Sequence, residues 1–245
     1  MNGSRLRLDH ARALLRRAGL VLPSADDPPS EEELQAIIDG LCLLSERDAL
    51  TGLPNRRAFE ARALQELDRA SRAGETPLLL MVDLDHFKAI NDRYGHGAGD
   101  VVLRAVAQAL QAAVRPMDTV ARLGGEEFGV LLPNVTPARA DLLAERLRAA
   151  VAREPVVLPD GTRLPVSASL GGALAAPWVR TTLTHWMERA DRQLYEAKRA
   201  GRDRVRIEPV LQAEVSADEK NWLLGLGGGD DRMMAAAAEA EPDVT

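Results

Sequence analysis

The feature that most constrains the fold is a short apolar run, Leu-Leu-Leu-Met-Val-Asp-Leu, at positions 78–84. A run without regular polar alternation is typical of a strand buried on both faces, so this strand should lie inside a sheet that helices cover. The run leads into two carboxylates, Asp83 and Asp85, which should project to the same face because side chains alternate along a strand. The carboxyl end of such a strand is a common ligand site, although a solvated strand end would show the same residues.

The rest of the chain alternates between helical and strand patterns. Helices are predicted over 1–22, 31–46, 57–72, 100–114, 137–152 and 181–200, and strands over 119–123, 128–132, 156–158, 163–166, 167–175 and 204–208. A loop that contains Gly95, Gly97 and Gly99 precedes the helix at 100. This order predicts an α/β (α+β) fold in which helices pack against a mixed sheet.

The sequence predicts three segments: a helical region at 1–46, a domain at 47–208 and a flexible tail at 209–245. Ser30 is the predicted N-cap of the second helix, and Glu33 occupies the capping-box position. The apolar stripe of this helix could pack on the domain that follows or on a second copy of itself.

Composition limits the classes of partner. The net charge of −6 argues against broad nucleic-acid binding, and no run approaches the ~18 apolar residues that span a bilayer. No signal peptide is recognisable at the N-terminus. The one cysteine, Cys42, leaves no internal disulfide and is expected to be a small buried hydrophobe. We therefore expect a cytoplasmic protein with neither a nucleic-acid nor a membrane partner.

A second acidic cluster follows the glycine pair Gly124-Gly125 between the strands predicted at 119–123 and 128–132. Two glycines at a hairpin tip permit positive φ and let a ligand approach the backbone closely. The adjacent Glu126 and Glu127 would point to opposite faces of a strand and would therefore have different roles. An exposed acidic hairpin without a ligand would show the same local sequence.

Five ordered blocks, spanning 48 to about 207, resemble the GGDEF domains, the diguanylate cyclases. The blocks are Asp-Ala-Leu-Thr-Gly-Leu-Pro-Asn-Arg at 48–56, Asp-Leu-Asp-His-Phe-Lys-Ala-Ile-Asn-Asp at 83–92, Gly-His-Gly-Ala-Gly-Asp at 95–100, Arg-Leu-Gly-Gly-Glu-Glu-Phe at 122–128, and Ala-Asp-Arg-Gln-Leu-Tyr-Glu-Ala-Lys-Arg-Ala-Gly-Arg at 190–202. The resemblance implies a mixed sheet like that of the class III nucleotidyl cyclases and polymerase palms, with an N-terminal helical extension.

The resemblance also implies catalytic and metal-binding roles. Asp83 and Glu127 match the Mg²⁺-binding carboxylates, with the backbone carbonyl of Leu84 as a third ligand and Mn²⁺ as an alternative ion. Glu126, the third catalytic residue, matches the group that helps to activate the ribose 3′-hydroxyl, either as a base or as a ligand of a second metal.

The residues that the resemblance implies for binding the substrate GTP are Phe87, Lys88, Asn91, Asp100, Gly124, Gly125, Lys198 and Arg202. Asn91 and Asp100 match the readers of guanine and ribose, and Lys88 matches a phosphate contact. Lys198 and Arg202 are four residues apart, so on one helix both would face the β and γ phosphates.

The implied reaction joins two GTP molecules into cyclic di-GMP and releases two pyrophosphates. Each chain would hold one GTP, so the reaction requires a homodimer, and the helix at 31–46 could form or couple its interface. Arg115 and Asp118 match the family's Arg-x-x-Asp inhibitory site for the cyclic di-GMP product, and Arg146 matches the second arginine of that site.

Three other readings remain open at this stage. The chain could be an inactive GGDEF domain that acts as a cyclic di-GMP receptor. It could be a mononucleotide cyclase or a polymerase-like palm, which uses similar metal-binding carboxylates. It could also be an interaction module in which residues 1–46 carry the function.

Overall fold

The strand predicted at 78–84 has those bounds in the structure and is buried along its whole length. A computed structural model describes residues 8–22, 29–176 and 181–209. In chain order its elements are α1 (Asp9–Arg17), α2 (Glu31–Glu46), α3 (Arg56–Ala73), β1 (Leu78–Leu84), α4 (Phe87–Tyr94), α5 (His96–Ala112), β2 (Thr119–Gly124), β3 (Glu127–Leu132), α6 (Pro137–Ala152), β4 (Val156–Val157), β5 (Arg163–Leu164), β6 (Ala168–Leu174), α7 (Leu183–Arg199) and β7 (Val205–Ile207).

The main sheet has five strands in the order β2-β3-β1-β6-β7, and β4 and β5 form a separate hairpin. All neighbours in the main sheet are antiparallel except β6 and β7, which are parallel. The predicted mixed sheet is therefore confirmed, with β1 in the centre. This position explains the unbroken apolar run, because β1 has a strand on each edge and helices on each face.

Helices α3 and α7 cover one face of the sheet. Phe59 of α3 and Trp186 of α7 are fully buried there with Met81 of β1 and Leu131 of β3. The alternate residues of β1 point to the other face, and α5 and α6 pack against each other and against the sheet. Burying both faces is the main apolar contribution to the stability of this fold.

Two helix predictions were wrong in the loop region after β1. Residues 87–94 form α4, where the sequence predicts no helix, and α5 begins at His96 rather than at 100. Gly95, with φ of 81°, separates the two helices, whereas Gly97 and Gly99 lie within α5. Three glycines in five residues favoured a loop prediction, but the last one is needed for close helix packing.

The N-terminal region shows α1 packed against α2. The helix predicted over 1–22 is shorter within the described residues, since α1 ends at Arg17 and Gly19 follows with φ of 77°. The Ser30 cap is confirmed, because its hydroxyl accepts a hydrogen bond from the Glu33 backbone N–H at 3.2 Å. The Glu33 side chain pairs with Arg12 of α1 and is fully buried.

The prediction that Cys42 is buried was wrong, because its side chain is exposed on α2. Helix α1 covers a different side of α2, where Leu15 packs against Gly40 and Ile37 is buried. The predicted break at 23–30 lies mostly outside the described residues, as does the predicted tail at 209–245 apart from Pro209. Among the helices that the structure describes, none has the length and apolar character needed to cross a bilayer.

Candidate active site

The end of β1 and the start of β3 bring two carboxylates side by side. Antiparallel pairing places Asp83 directly opposite Glu127, and the other edge of β1 places Asp83 opposite Ser169. Glu126 lies in the hairpin turn rather than on the strand, and its carbonyl accepts a hydrogen bond from the Leu84 N–H at 3.3 Å. The argument that alternation along a strand separates the two glutamates therefore does not apply, since β3 begins only at Glu127.

Each facing carboxylate is paired with a cation. The ammonium of Lys198 lies 2.8 Å from an oxygen of Asp83, whose side chain is only 9% exposed. The guanidinium of Arg56 lies 3.5 Å from Glu127, in a pair that is about half exposed. The site thus holds closely spaced acids, two of which have a cation beside them.

The oxygen donors at this point fit a hard divalent cation. Asp83 and Glu127 supply carboxylate oxygens, which are the ligands that Mg²⁺ prefers. Within the described ranges there is no cluster of three or more His, Cys, Asp or Glu side chains arranged to hold a metal. A site with two carboxylates suits Mg²⁺, which usually keeps water or substrate phosphate oxygens as its remaining ligands.

Glu126 has an altered acidity. Burial raises the pKa of Glu126 above its ordinary value of 4.5, and the negative charges of Asp83 and Glu127 raise it further, whereas Lys198 acts in the opposite direction. A raised pKa makes a carboxylate a better proton acceptor while it is still ionised near neutral pH.

Arg122 links the glycine hairpin to the turn at 48–56 through hydrogen bonds, and the sequence analysis assigns it no role. Its guanidinium donates to both carboxylate oxygens of Asp48 at 3.2 Å and to the carbonyl of Gly125 at 2.8 Å. Asp48 is in turn fixed by the hydroxyl of Thr51 at 2.6 Å. Arg56 donates to the carbonyl of Leu123 at 3.0 Å and braces the same hairpin. The turn at 48–56 is therefore a support for the hairpin.

The predicted guanine reader lies at the junction of α4 and α5. A Cβ on Gly99 would fall 2.0 Å from the side-chain oxygen of Asn91 and 3.0 Å from the ring of Phe87. The absence of a side chain at Gly99 therefore leaves room for Asn91 between the helices. Asp100, the predicted ribose reader, follows Gly99 on α5 and lies next to this notch in sequence.

The phosphate-binding prediction was wrong in one respect. Lys198 lies in the last turn of α7, but Arg202 lies beyond it with φ of 62°, because Gly201, at φ of 114°, ends the helix. The two side chains therefore do not project from one helical face. Lys88, the third predicted phosphate contact, lies exposed on α4.

Asp85 anchors this end of the molecule. It is buried and accepts hydrogen bonds from the hydroxyls of Ser167 at 2.8 Å and Ser169 at 2.7 Å and from the backbone N–H of Asp203 at 3.0 Å. These bonds tie the loop that carries Arg202 to the end of β1. The carboxylate of Asp85 is thus used in structure, whereas Asp83 faces the hairpin.

The predicted inhibitory residues lie at two cavities. Arg115 and Asp118 form a turn in which the Arg115 N–H donates to the Asp118 carboxylate at 2.8 Å, and both line a cavity of about 680 Å³ beside α3. Arg146 lines a different cavity of about 940 Å³ between α5 and α6, together with Arg104 and Arg153. The structure brings the first two residues together but does not place the third in their cavity.

Comparison with known proteins agrees with this geometry. Residues 45–204 match the family model described as the GGDEF domain of diguanylate cyclases. The diguanylate cyclase DgcP of Pseudomonas aeruginosa is 47% identical over 160 residues, which are 65% of this chain and 23% of that protein. The chain thus spans less than a quarter of that relative.

Two solved structures resemble the fold. The coiled coil and GGDEF domain of DgcB from Caulobacter crescentus, in complex with c-di-GMP, superposes with a TM-score of 0.68 at 29% identity, covering 82% of this chain and all of that one. The active GGEEF domain of a diguanylate cyclase from Vibrio cholerae gives 0.58 at 32% identity, covering 64% of this chain and 98% of that one. On the family match and the fold together, this chain belongs to the GGDEF domain family of diguanylate cyclases.

Proposed function

We propose that this chain condenses two GTP molecules into cyclic di-GMP and two pyrophosphates, in a homodimer that carries one GTP on each subunit. The observation that carries the proposal is the pairing of Asp83 with Glu127 beside the open glycine hairpin. Space above Gly124 and Gly125 is free, since a Cβ on either would meet no atom within 4 Å. The signatures of the family and of its named relatives support the same chemistry.

The proposed roles follow from the position of each group. Mg²⁺ or Mn²⁺ held by Asp83, Glu127 and the carbonyl of Leu84 would supply positive charge to the phosphate oxygens. Glu126, on the hairpin turn, would orient or deprotonate the ribose 3′-hydroxyl that attacks the α-phosphate of the facing GTP. The hairpin backbone can come close to the nucleotide because Gly124 and Gly125 have no side chains.

The remaining residues bind and orient the substrate. Asn91 and Asp100 would hold guanine and ribose at the notch between α4 and α5, where an amide or carboxylate can match the donors and acceptors of guanine. Lys88, Lys198 and Arg202 would bind the triphosphate through charge-assisted hydrogen bonds. Holding the two GTP molecules in register supplies much of the rate enhancement, because the reaction then no longer depends on chance encounter.

The second subunit is proposed to pair along α2. Leu34, Ile38 and Leu41 follow the four- and three-residue spacing of a coiled-coil seam, and Ile38 is 53% exposed while Leu41 is 36% exposed. The turn that supports the hairpin follows directly after helix α2. The backbone N–H of Asn55 in this turn donates a hydrogen bond to the carbonyl of Glu46, the last residue of the helix. A dimer formed along α2 is thus well placed to couple assembly to the catalytic site.

Feedback by the product is proposed to act through Arg115 and Asp118. Their cavity is also lined by Arg62 of α3 and by Arg47, so several guanidinium groups are available for a phosphate or a guanine edge. Arg146 belongs to this proposal only if the ligand reaches around α5, because it lines the neighbouring cavity. Binding at this position would hold α3, which also carries Arg56 of the active site.

The test is incubation of the purified chain with GTP and Mg²⁺, followed by measurement of pyrophosphate and mass spectrometry of the nucleotide product. We expect cyclic di-GMP, and we expect Glu127→Ala to lose activity while remaining folded. Binding of cyclic di-GMP without release of pyrophosphate would instead support the receptor reading. Release of pyrophosphate with a product cyclised from a single GTP would support a mononucleotide cyclase.

A further inference from the structure

We propose that Lys198 is the counter-ion of Asp83 at the metal site. When a divalent cation binds, the Lys198 ammonium leaves Asp83 and pairs with the GTP triphosphate instead. Metal and nucleotide would then bind cooperatively, because each makes room for the other. The inference rests on the proposed function, since it uses the same metal ligands and the same substrate. It adds that the contact between Lys198 and Asp83 couples the two binding events.

The carboxylate of Asp83 needs a cation beside it. Asp83 is buried and lies opposite Glu127, with Glu126 on the adjacent turn. A buried carboxylate with acidic neighbours and no cation would be strongly destabilised. The Lys198 ammonium lies 2.8 Å from an oxygen of Asp83 and supplies this positive charge.

Only the end of the Lys198 side chain needs to move for this exchange. Helix α7 is held against β6 at Gly171, where a Cβ would lie 1.9 Å from the backbone nitrogen of Leu194. The backbone of Lys198 is therefore fixed relative to the sheet. Its side chain is a flexible four-carbon stem that is 33% exposed, so the ammonium can turn from the carboxylate toward a phosphate.

A divalent cation and the Lys198 ammonium would compete for the carboxylate of Asp83. A divalent cation on Asp83 takes the place of the ammonium and also repels it, so metal binding alone must displace Lys198 into solvent. When a triphosphate is present, the displaced ammonium gains a polyanionic partner. The metal therefore binds more tightly with nucleotide than without it, and linkage requires the same factor for nucleotide binding in the presence of metal.

The ion pair between Arg56 and Glu127 should compete less strongly with a bound metal ion. Arg56 lies 3.5 Å from Glu127, and the two side chains are 48% and 42% exposed. Solvent screens such a pair, and its guanidinium is also held by the carbonyl of Leu123. Of these two cations, Lys198 should therefore contribute more to the coupling.

The experiment measures Mn²⁺ binding to the full chain by electron paramagnetic resonance, with and without a GTP analogue that has a non-cleavable α,β-methylene bridge. Lys198→Met is compared with Arg199→Met, which removes the neighbouring cation of α7, whose side chain is 64% exposed and pairs with Glu196. We expect Lys198→Met to bind Mn²⁺ alone about tenfold more tightly than the unaltered chain and to show a smaller gain on adding the analogue, because only the direct contact between the metal and the phosphate oxygens remains. Arg199→Met should bind Mn²⁺ alone like the unaltered chain.

Equal or weaker Mn²⁺ binding by Lys198→Met, in protein whose thermal unfolding is cooperative, would overturn the proposal. If that variant fails to fold, Lys198→Gln repeats the test, because it keeps a hydrogen-bond donor without the charge. Lys198→Arg keeps the charge and should bind Mn²⁺ alone like the unaltered chain. No turnover is measured, so the result is distinct from a failure of the proposed cyclase activity, which product analysis alone decides.

Discussion

Two glycines of the same helix have different consequences at the scale of single residues. Gly97 and Gly99 both lie in the first turn of α5, but a Cβ on Gly97 would meet open space, whereas one on Gly99 would fall 2.0 Å from the Asn91 oxygen. Only the second glycine is required by packing. The difference provides a matched pair of substitutions for the proposed guanine site.

Gly99→Ala should raise the KM for GTP about tenfold, because it displaces Asn91 and removes one hydrogen bond to the base. Gly97→Ala should leave the KM unchanged and slightly raise the melting temperature, since alanine is the better helix former. Steady-state kinetics and thermal unfolding of both variants check this. Equal effects of the two substitutions on the KM would show that Asn91 does not depend on the notch.

The contribution of Asp48 to the stability of the fold depends on pH. Burial raises the pKa of Asp48, but the hydrogen bonds from Thr51 and Arg122 outweigh it, and the pKa lies below 3.8. Because the folded state holds the carboxylate ionised, its contribution to stability is present above pH 3.8 and is lost as the pH falls through the lower folded value.

Asp48→Asn should therefore lower the free energy of unfolding by about 1 kcal/mol at pH 7, after allowance for solvent screening. The difference from the unaltered chain should shrink as the pH falls from 3.8 through the lower folded pKa, below which Asp48 is protonated in both states. Urea unfolding at several pH values measures it. A difference that stays constant down to the acid range would contradict the assigned role of the carboxylate.

At the scale of elements, α7 is positioned by the absence of a side chain on β6. A Cβ on Gly171 would lie 1.9 Å from the Leu194 nitrogen and 2.4 Å from the Ala190 oxygen, both backbone atoms that cannot turn aside. A Cβ on the neighbouring Gly172 would meet only the ends of side chains, those of Ile207 and Leu80, at 2.5 Å. The helix that carries Lys198 thus packs directly on the strand backbone.

Gly171→Ala should destabilise the fold by about 2–3 kcal/mol and lower the affinity for GTP, because α7 must move away from β6. Gly172→Ala should cost less, since flexible side chains can adjust. Chemical denaturation and nucleotide binding distinguish the two. If Gly172→Ala proved the more harmful, the close approach of α7 would not be what positions Lys198.

The element scale also explains which features were predictable. The bounds of β1 and α6 follow from an apolar run after Pro77 and from Pro137 at a helix start, both local signals. Helix α4 was missed because Gly95, Gly97 and Gly99 favour a loop locally, and only the packing of Asn91 against α5 explains a helical glycine. Whether a glycine breaks a helix or lets one pack closely is decided by residues distant in space.

The site shows the same division between local and tertiary information. Its carboxylates and glycines could be found from sequence because they form short motifs, but the support from Arg122 depends on a contact with Asp48 across 74 positions. The linear spacing of Lys198 and Arg202 was misleading, since Gly201 ends α7 between them. The burial of Cys42 could not be judged without knowing which side of α2 meets α1.

At the scale of the whole molecule, the proposed reaction requires two copies of the chain to form a dimer. Leu41 and Leu43 of α2 are exposed to a similar extent, at 36% and 38%, but only Leu41 lies on the seam with Leu34 and Ile38. Leu41→Asp should weaken self-association at least tenfold, roughly the cost of losing one buried leucine, and Leu43→Asp should not. Sedimentation equilibrium measures this, and equal effects would show that another surface joins the subunits.

Each product molecule should contain the GMP units of two GTP molecules, each of which has released its pyrophosphate. This is tested by supplying equal amounts of unlabelled and fully ¹⁵N-labelled GTP with Mg²⁺ and determining the mass of the cyclic product. The account predicts cyclic di-GMP as light, mixed and heavy species, with the mixed species most abundant. A product that shows only light and heavy species, each with the mass of a single cyclised GTP, would contradict it.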